Sequence, residues 1–323
     1  MKVLIVKLSS LGDVVHAMPA VQDIRAAHPT AQIDWVVERG FAPLVQRCAG
    51  VRRVVACELR RWRKAPLSAE TRAAWAAFRA ELQAEAYDAV IDLQGLTKSA
   101  LVAWMAQLAP GGRRYALANQ TDGSSYERPT RWVADVAVPV PPHSHAVARS
   151  RLLCAQALGY TVPQWEQFGL AARTEPAQAA TKIIAFVHGT SRDDKCWPEA
   201  HWLALGQRLI AAGHRIGLPH GSEAERARSE RLAAALGPQA EVWPRLDLGA
   251  LTDRLAACTG VVGVDSGLSH IAVALDRPHV QLYNFDTAWR TGPHGSGRQR
   301  SVFAQPAPSV DAVWQAWQQV SAP

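Results

Sequence analysis

The stretch Val3-Leu4-Ile5-Val6-Lys7-Leu8-Ser9-Ser10-Leu11-Gly12-Asp13-Val14-Val15-His16 changes its periodicity halfway along. Val3–Leu8 is a short apolar run, the pattern of a strand covered on both faces. Beyond Asp13 the spacing is helical through about Ala27, and His28-Pro29 closes it. Small residues and one glycine join the two, so backbone N–H groups there can approach a ligand closely. Strand, small-residue loop, helix is the opening of an α/β fold.

The alternation continues. Ile33–Val37, Val51–Cys57 and Ala89–Asp92 read as strands, and Ala69–Glu85, Lys98–Leu108 and Ala146–Leu158 as helices. Gly159–Ala180, with Pro163, Gly169 and Pro176, loses periodicity and reads as an interdomain connection. A second series follows: strands at Ile183–Val187, Ile216–Leu218, Val261–Val264 and Val280–Tyr283, helices at Glu199–Ala212, Glu223–Leu236, Leu268–Leu275 and Val310–Val320. Such alternation predicts parallel sheets with helices on both faces, hence two Rossmann-like domains facing a central cleft. The expected domains are 1–165 and 166–323, with the last helix, about 310–320, a candidate to pack back on the first. Ligands in such sheets bind beyond the carboxyl ends of the strands.

Length and composition agree. The 323 residues suit two domains, and 48% apolar with 20% charged residues excludes a disordered or fibrous chain. No apolar run approaches the ~18 residues of a membrane span. Lys7 interrupts the N-terminal run before it reaches the ~7–15 apolar residues of a secretory leader, so a cytoplasmic chain is expected. The five cysteines are scattered without a C-x-x-C, as expected of reduced thiols. A net charge of +7 favours an anionic partner without choosing among nucleotide, nucleic acid and membrane surface.

Three strand-end loops carry the chemistry. Asp13 stands where a carboxylate can take a proton from a substrate hydroxyl, although capping the following helix is the commoner role. Capping also lowers a carboxylate pKa, so a base there needs a counteracting environment. His188-Gly189-Thr190-Ser191-Arg192-Asp193-Asp194-Lys195-Cys196-Trp197-Pro198 offers a glycine, two hydroxyls and Lys195 to a pyrophosphate; its bland reading is a polar surface loop. Val264-Asp265-Ser266-Gly267-Leu268-Ser269-His270 repeats the strand–loop–helix arrangement, with Ser266, Gly267 and His270 near a phosphate, though Asp265 and Ser266 are also ordinary helix starters. Glu225 is placed for ribose hydroxyls, or is simply a solvated helix residue.

Arg60-Arg61-Trp62-Arg63-Lys64 is dense in cations, and Trp62 suits a membrane interface or a stacked base. Lys98, Arg113, Arg114, Arg128 and Arg131 extend this basic surface. The chain lacks G-x-G-x-x-G, the P-loop, G-x-S-x-G, H-E-x-x-H and D-x-D, which removes dehydrogenase, P-loop kinase, serine hydrolase, zinc protease and metal-bridged transferase readings.

These segments together resemble a known family, the lipopolysaccharide heptosyltransferases, and within it the type I branch. The resemblance runs over nearly the whole chain: Lys7–Val14, Asp34-Trp35-Val36-Val37-Glu38, Arg60–Lys64, Tyr87–Asp92 with Gln94-Gly95-Leu96, Arg192–Lys195 and Asp265–His270. It implies a GT-B architecture and inverting, metal-independent transfer of L-glycero-D-manno-heptose from ADP-heptose to a Kdo residue of Kdo-lipid A. The first domain would hold the acceptor and the second the nucleotide sugar. It further implies no cofactor, no nucleic-acid partner, and a peripheral place on the cytoplasmic face of the inner membrane. By the same resemblance Asp13 is the base, and Lys195 with Thr190 and Ser191 meets the donor phosphates. Glu225 meets the ribose, and Asp265, Ser266, Gly267 and His270 complete the donor pocket. Ser10, Gly12, Arg60, Arg61, Arg63, Lys64 and Lys98 face the acceptor. Asp13 and Lys195 would meet only when the domains approach, so closure would gate the reaction.

Three departures from the family pattern fall near the donor site. Asn284-Phe285-Asp286-Thr287-Ala288 replaces a Gly-Pro-Thr-Asp-Pro turn, Cys196 replaces a histidine, and Gly221 follows His220 where tryptophan is frequent. Competing readings are another heptosyltransferase, a nucleotide-sugar epimerase that needs no acceptor, and a basic non-catalytic module binding nucleic acid or membrane with steep salt dependence.

Overall fold

The computed structural model describes residues 1–173, 182–294 and 297–322. Part of the expected connection, residues 174–180, lies outside them. The chain divides into two compact units, Met1–Leu170 and Ala171–Pro323.

In the first unit six strands form one parallel sheet: β1 (Lys2–Val6), β2 (Gln32–Glu38), β3 (Val51–Cys57), β4 (Ala86–Asp92), β5 (Gln107–Leu117) and β6 (Val136–Val138), in the order β3-β2-β1-β4-β5-β6. The second repeats this with β7 (Ile183–Val187), β8 (Arg215–Leu218), β9 (Ala240–Val242), β10 (Gly260–Val264), β11 (His279–Tyr283) and β12 (Gln299–Phe303), in the order β12-β11-β10-β7-β8-β9. Read from its own first strand, each sheet has the doubly wound order 3-2-1-4-5-6. The winding reverses between β1 and β4, and between β7 and β10. Crossovers leave in opposite directions at such a point, so the loops after those strands part and open a crevice.

Val3, Leu4, Ile5 and Val6 of β1 are fully buried, as a central strand between two helix layers requires. One layer comprises the helices Leu59–Trp62, Ala69–Leu82 and Thr97–Met105, whose Trp62, Phe78, Leu82, Val102 and Met105 share a core with Leu4, Val6, Val36 and Val55. The helix Leu11–Ala27 is joined to Ala146–Leu158 by Arg151, whose Nε and Nη2 donate to the buried Asp23 carboxylate at 2.7 and 2.9 Å. The second core is rich in tryptophan: Trp197, Trp202 and Trp317 pack with Phe186, Leu205 and Val262. There the final helix, Val310–Ser321, buries Val313, Ala316, Trp317 and Val320. These four side chains tie the helix to the core of the second unit. Its placement explains Gly260, where any Cβ would stand 2.4 Å from the Trp317 ring.

Strands β5, β6, β9 and β12 and the helix Leu248–Ala256 escape the periodicity reading. β5 contains Pro110-Gly111-Gly112, ordinarily a turn, but here the pairing with β4 shifts register between Tyr87 and Ala89 and absorbs it. Among the described residues no helix is long and apolar enough to cross a membrane. All five cysteines are free thiols.

Candidate active site

At the first reversal point β1 runs into Lys7, and Ser10 caps the helix that follows. Asp13 Oδ2 accepts from the Ser10 amide at 3.1 Å and from its hydroxyl at 2.8 Å. The capping role is therefore real, yet it occupies one oxygen only. Oδ1 lies 3.8 Å from Lys7 Nζ and 3.6 Å from Arg149 Nη2, and the side chain remains 35% exposed. Burial opposes ionisation of Asp13, but Lys7, the Ser10 hydrogen bonds and Arg149 outweigh it and hold the carboxyl below its usual range. Burial is the counteracting environment, and it does not prevail.

Lys7 is itself buried, and burial pushes its ammonium down to about 8 against the pull of Asp13 and Asp92. Its Nζ donates to the Leu93 carbonyl at 3.0 Å. Asp92, at the end of β4, is pushed up to about 6 by burial, although it accepts from the Gln94 and Gly95 amides and the Ser99 hydroxyl. Gln94 Oε1 accepts from the Leu8 and Ser9 amides at 3.1 and 3.0 Å, tying the loop after β4 to the loop after β1. Lys98 completes this wall by donating to Ser9 Oγ at 3.0 Å.

The second reversal point inverts the charges. Lys195 Nζ donates to Asp265 Oδ2 at 2.5 Å. Oδ1 lies 3.5 Å from His270 Nε2 and accepts from the Thr291 hydroxyl at 3.3 Å. Burial opposes the Asp265 charge, but His270 and Lys195 prevail and hold it well below the ordinary carboxylate range. Thr190 donates to the Asp265 carbonyl at 3.2 Å, which joins the loops after β7 and β10. Ser266 Oγ is buried and has no hydrogen-bond partner among the described residues, and Gly267 opens the helix Gly267–Ala274. A hydroxyl left unpaired at a helix start, beside a lysine, suits an anionic ligand that would supply its acceptor. Ser191 is exposed on the loop after β7.

Glu225 caps its own helix, Glu223–Leu236: Oε2 accepts from the Gly221 and Ser222 amides at 2.6 and 3.1 Å. Its other oxygen abuts Gly189, where a Cβ would approach within 2.4 Å, so the carboxylate is seated against the loop after β7. Two of the departures from the family pattern, at Asn284 and Cys196, touch one another. Asn284 Nδ2 donates to the Asp194 and Cys196 carbonyls at 3.0 and 2.9 Å, and the Arg192 guanidinium lies 5.8 Å over the Phe285 ring. The residues after β11 thus hold the loop that carries Lys195.

Of the expected acceptor residues, Ser10, Gly12 and Lys98 gather beside Asp13. The Arg60–Lys64 segment follows β3, two strands from β1 and so roughly 10 Å away at strand level. Arg60, Arg61, Arg63 and Lys64 are exposed, and Arg61 reaches Glu58 and Glu70 at 3.1 Å each. Trp62 is neither interfacial nor free to stack: it is buried against Trp75 and Phe78 at ring separations of 5.4 and 5.5 Å. Sequence reasoning missed Lys7, Asp92, Arg149, Thr291 and the Asn284 clamp. A lysine ending an otherwise apolar strand was the available signal for Lys7; Arg149, far along the chain on a helix, left none.

Residues 75–312 match the family described as glycosyltransferase family 9 (heptosyltransferase). The chain belongs to that family. Lipopolysaccharide heptosyltransferase 1 of Escherichia coli K12 is 42% identical to this family 9 member over 302 residues, covering 92% of each chain. The solved E. coli heptosyltransferase WaaC with ADP superposes with a TM-score of 0.89 at 38% identity, covering 100% of both chains. WaaC with ADP-2-deoxy-2-fluoro heptose gives 0.85 at 39%, over 98% of each. The chain is accordingly a glycosyltransferase of the heptosyltransferase family, with the GT-B pair of Rossmann-like sheets.

Proposed function

We propose that this enzyme is a lipopolysaccharide heptosyltransferase I that moves L-glycero-D-manno-heptose from ADP-heptose to a Kdo residue of Kdo-lipid A. The observation that carries the reading is the pairing of opposite chemistries at equivalent points of two like sheets: Asp13 between cations in one, Lys195 against Asp265 in the other. The donor assignment is supported by relatives solved with ADP and with a fluorinated ADP-heptose.

In the proposed reaction an acceptor hydroxyl attacks the anomeric carbon of heptose. The bond from that carbon to the β-phosphate oxygen breaks, its electron pair leaves with ADP, and the configuration inverts. Asp13 Oδ1 takes the hydroxyl proton. A carboxylate held ionised below its usual range is a weak base, so transfer comes late, as the hydroxyl acidifies on bonding to carbon. An acidic acceptor adds negative charge beside Lys7 and Arg149, which raises Asp13 toward useful basicity. Lys195 leaves Asp265 for the departing phosphate, helped by Thr190, Ser191, the unpaired Ser266 hydroxyl and the amides from Gly267. His270 stays with Asp265, and Glu225 takes the ribose hydroxyls. No metal or cofactor is assigned a step. Ser10, Gly12 and Lys98 orient the Kdo unit, and Arg60, Arg61, Arg63 and Lys64 meet its acidic surroundings. The enzyme works peripherally, on the cytoplasmic face of the inner membrane.

The test is incubation with ADP-heptose and deacylated Kdo-lipid A, with mass spectrometry of the product and NMR of the new linkage. A product heavier by one heptose, with inverted anomeric configuration, is expected. Consumption of donor without acceptor would instead identify an epimerase or hydrolase.

A further inference from the structure

The helix layer built on Trp62, Phe78, Val102 and Met105 has, at its Val102–Met105 end, an outer side that the reaction does not use. It carries three large apolar side chains that no core covers: Leu101, Trp104 and Trp132, which are 42%, 63% and 80% exposed. Leu101 and Trp104, three residues apart on the helix Thr97–Met105, share a face. Trp132 stands on the adjacent turn Pro129–Val133, whose Val133 packs against the same core.

These two segments are bound side by side at both ends. The Glu127 carboxylate accepts from the Thr97 amide at 2.7 Å. At the other end the Arg114 guanidinium donates to the Ala103 and Ala106 carbonyls at 2.9 and 3.0 Å, and its own amide donates to Asp135 at 2.8 Å. The tryptophans are therefore mounted on braced elements, not on a loose loop.

Arg128 and Arg131, both exposed, flank Trp132, and Lys98 lies one turn before Leu101. The neighbouring carboxylates, Glu127 and Asp135, are taken up by the braces just described. Exposed tryptophans rimmed by arginine match the boundary between lipid headgroups and acyl chains: an apolar ring, an indole N–H for the polar zone, and cations for anionic phosphates. Lys98, at the start of the same helix, reaches Ser9 beside Asp13, and Trp104 lies ~9 Å further along the helix axis.

We propose that the Leu101–Trp104–Trp132 face docks the enzyme onto an anionic phospholipid surface and so sets the height of the Asp13 loop above it. The proposal rests on the reading above only in supposing an acceptor held at a membrane by its lipid.

Vesicle flotation of the full chain tests it, using roughly 3:1 phosphatidylethanolamine–phosphatidylglycerol vesicles and, separately, phosphatidylcholine vesicles. Wild type should float with the anionic vesicles. W104S/W132S should lose about ten-fold or more in partitioning, R128Q/R131Q should lose several-fold on anionic vesicles alone, and W104F/W132F should keep most of it. Circular dichroism and unchanged turnover of the deacylated acceptor by W104S/W132S establish that the fold survives. Wild-type partitioning by W104S/W132S would overturn the proposal, as would failure of wild type to float. So would a serine pair that converts a dimer to a monomer without altering flotation, since a second copy would then cover the face. Failure of wild type on the deacylated acceptor sinks the functional reading instead, and leaves the flotation result to decide docking.

Discussion

The two units wind their sheets alike and then load the reversal points with opposite charges. In the first, a carboxylate one-third exposed stands between two cations, one of them a lysine with almost no access to water. In the second, a lysine rests on a carboxylate that also holds a histidine and a threonine. The backbone dictates where a ligand can approach, because strand ends part at the reversal. The side chains dictate what can happen there, since a carboxylate kept ionised suits a hydroxyl, and a lysine with a replaceable partner suits a phosphate.

Removing the unique group of the first unit should do most damage. Asp13→Ala is expected to lower kcat by about 10²–10⁴-fold while ADP affinity changes little, as calorimetry would register. Near-normal turnover would end the assignment of roles between the units. Lys195→Ala should act through the other half, weakening ADP binding and lowering kcat by about 10²–10³-fold. A variant that loses turnover but binds ADP as before would place the lysine outside the phosphate site.

Acid should affect the stability of the two units unequally. His188 and His279, both in the second, are pushed down to about 4, chiefly by burial. They stay neutral in the fold while the unfolded chain takes up protons below its pKa of about 6.5. Their contribution is complete above that pH and fades as pH falls toward 4, by about 3 kcal/mol each. Asp92 in the first unit has the reverse sign. Its folded pKa, about 6, lies above the unfolded value, so its cost of ionisation disappears as pH falls through 6 toward 4. Hydrogen exchange between pH 6.5 and 4.5 should show the second unit losing protection first. Equal loss in both would remove the contrast.

The smallest effect is expected at the clamp. Asn284→Ala removes two hydrogen bonds from the lysine loop, worth about 1 kcal/mol together with the freedom the loop gains. ADP-heptose KM should rise a few-fold with kcat nearly unchanged. A fall in kcat alone would mean that the clamp acts on the chemistry instead of the loop.

Much of this was legible early, for identifiable reasons. β1 and β7 were readable because strands buried on both faces must be continuously apolar, and the helix start at Asp265-Ser266 announces itself by residue type. β5 was not, because its Pro-Gly-Gly is tolerated only through a register shift against β4, a fact about the partner strand. Asp13 and Lys195 sat in strand-end loops and could be singled out as candidates. The groups that tune them could not: Arg149 lies 136 positions from Asp13 along the chain, and Asn284 88 positions from Cys196.

By itself, then, the amino-acid sequence determined the alternation of strands and helices, the duplication of the sheet and the loops where chemistry belongs. All of these are written in local periodicity and in residues that start or stop an element. Tertiary structure decided what those loops experience. It made Asp13 a cap and an ion-pair partner at once, sank Trp62 into the core while leaving Trp104 and Trp132 outside, and set the final helix on the second sheet. Charge states and exposure depend on which distant residues come within a few ångströms, and that is a property of packing, which no local pattern encodes.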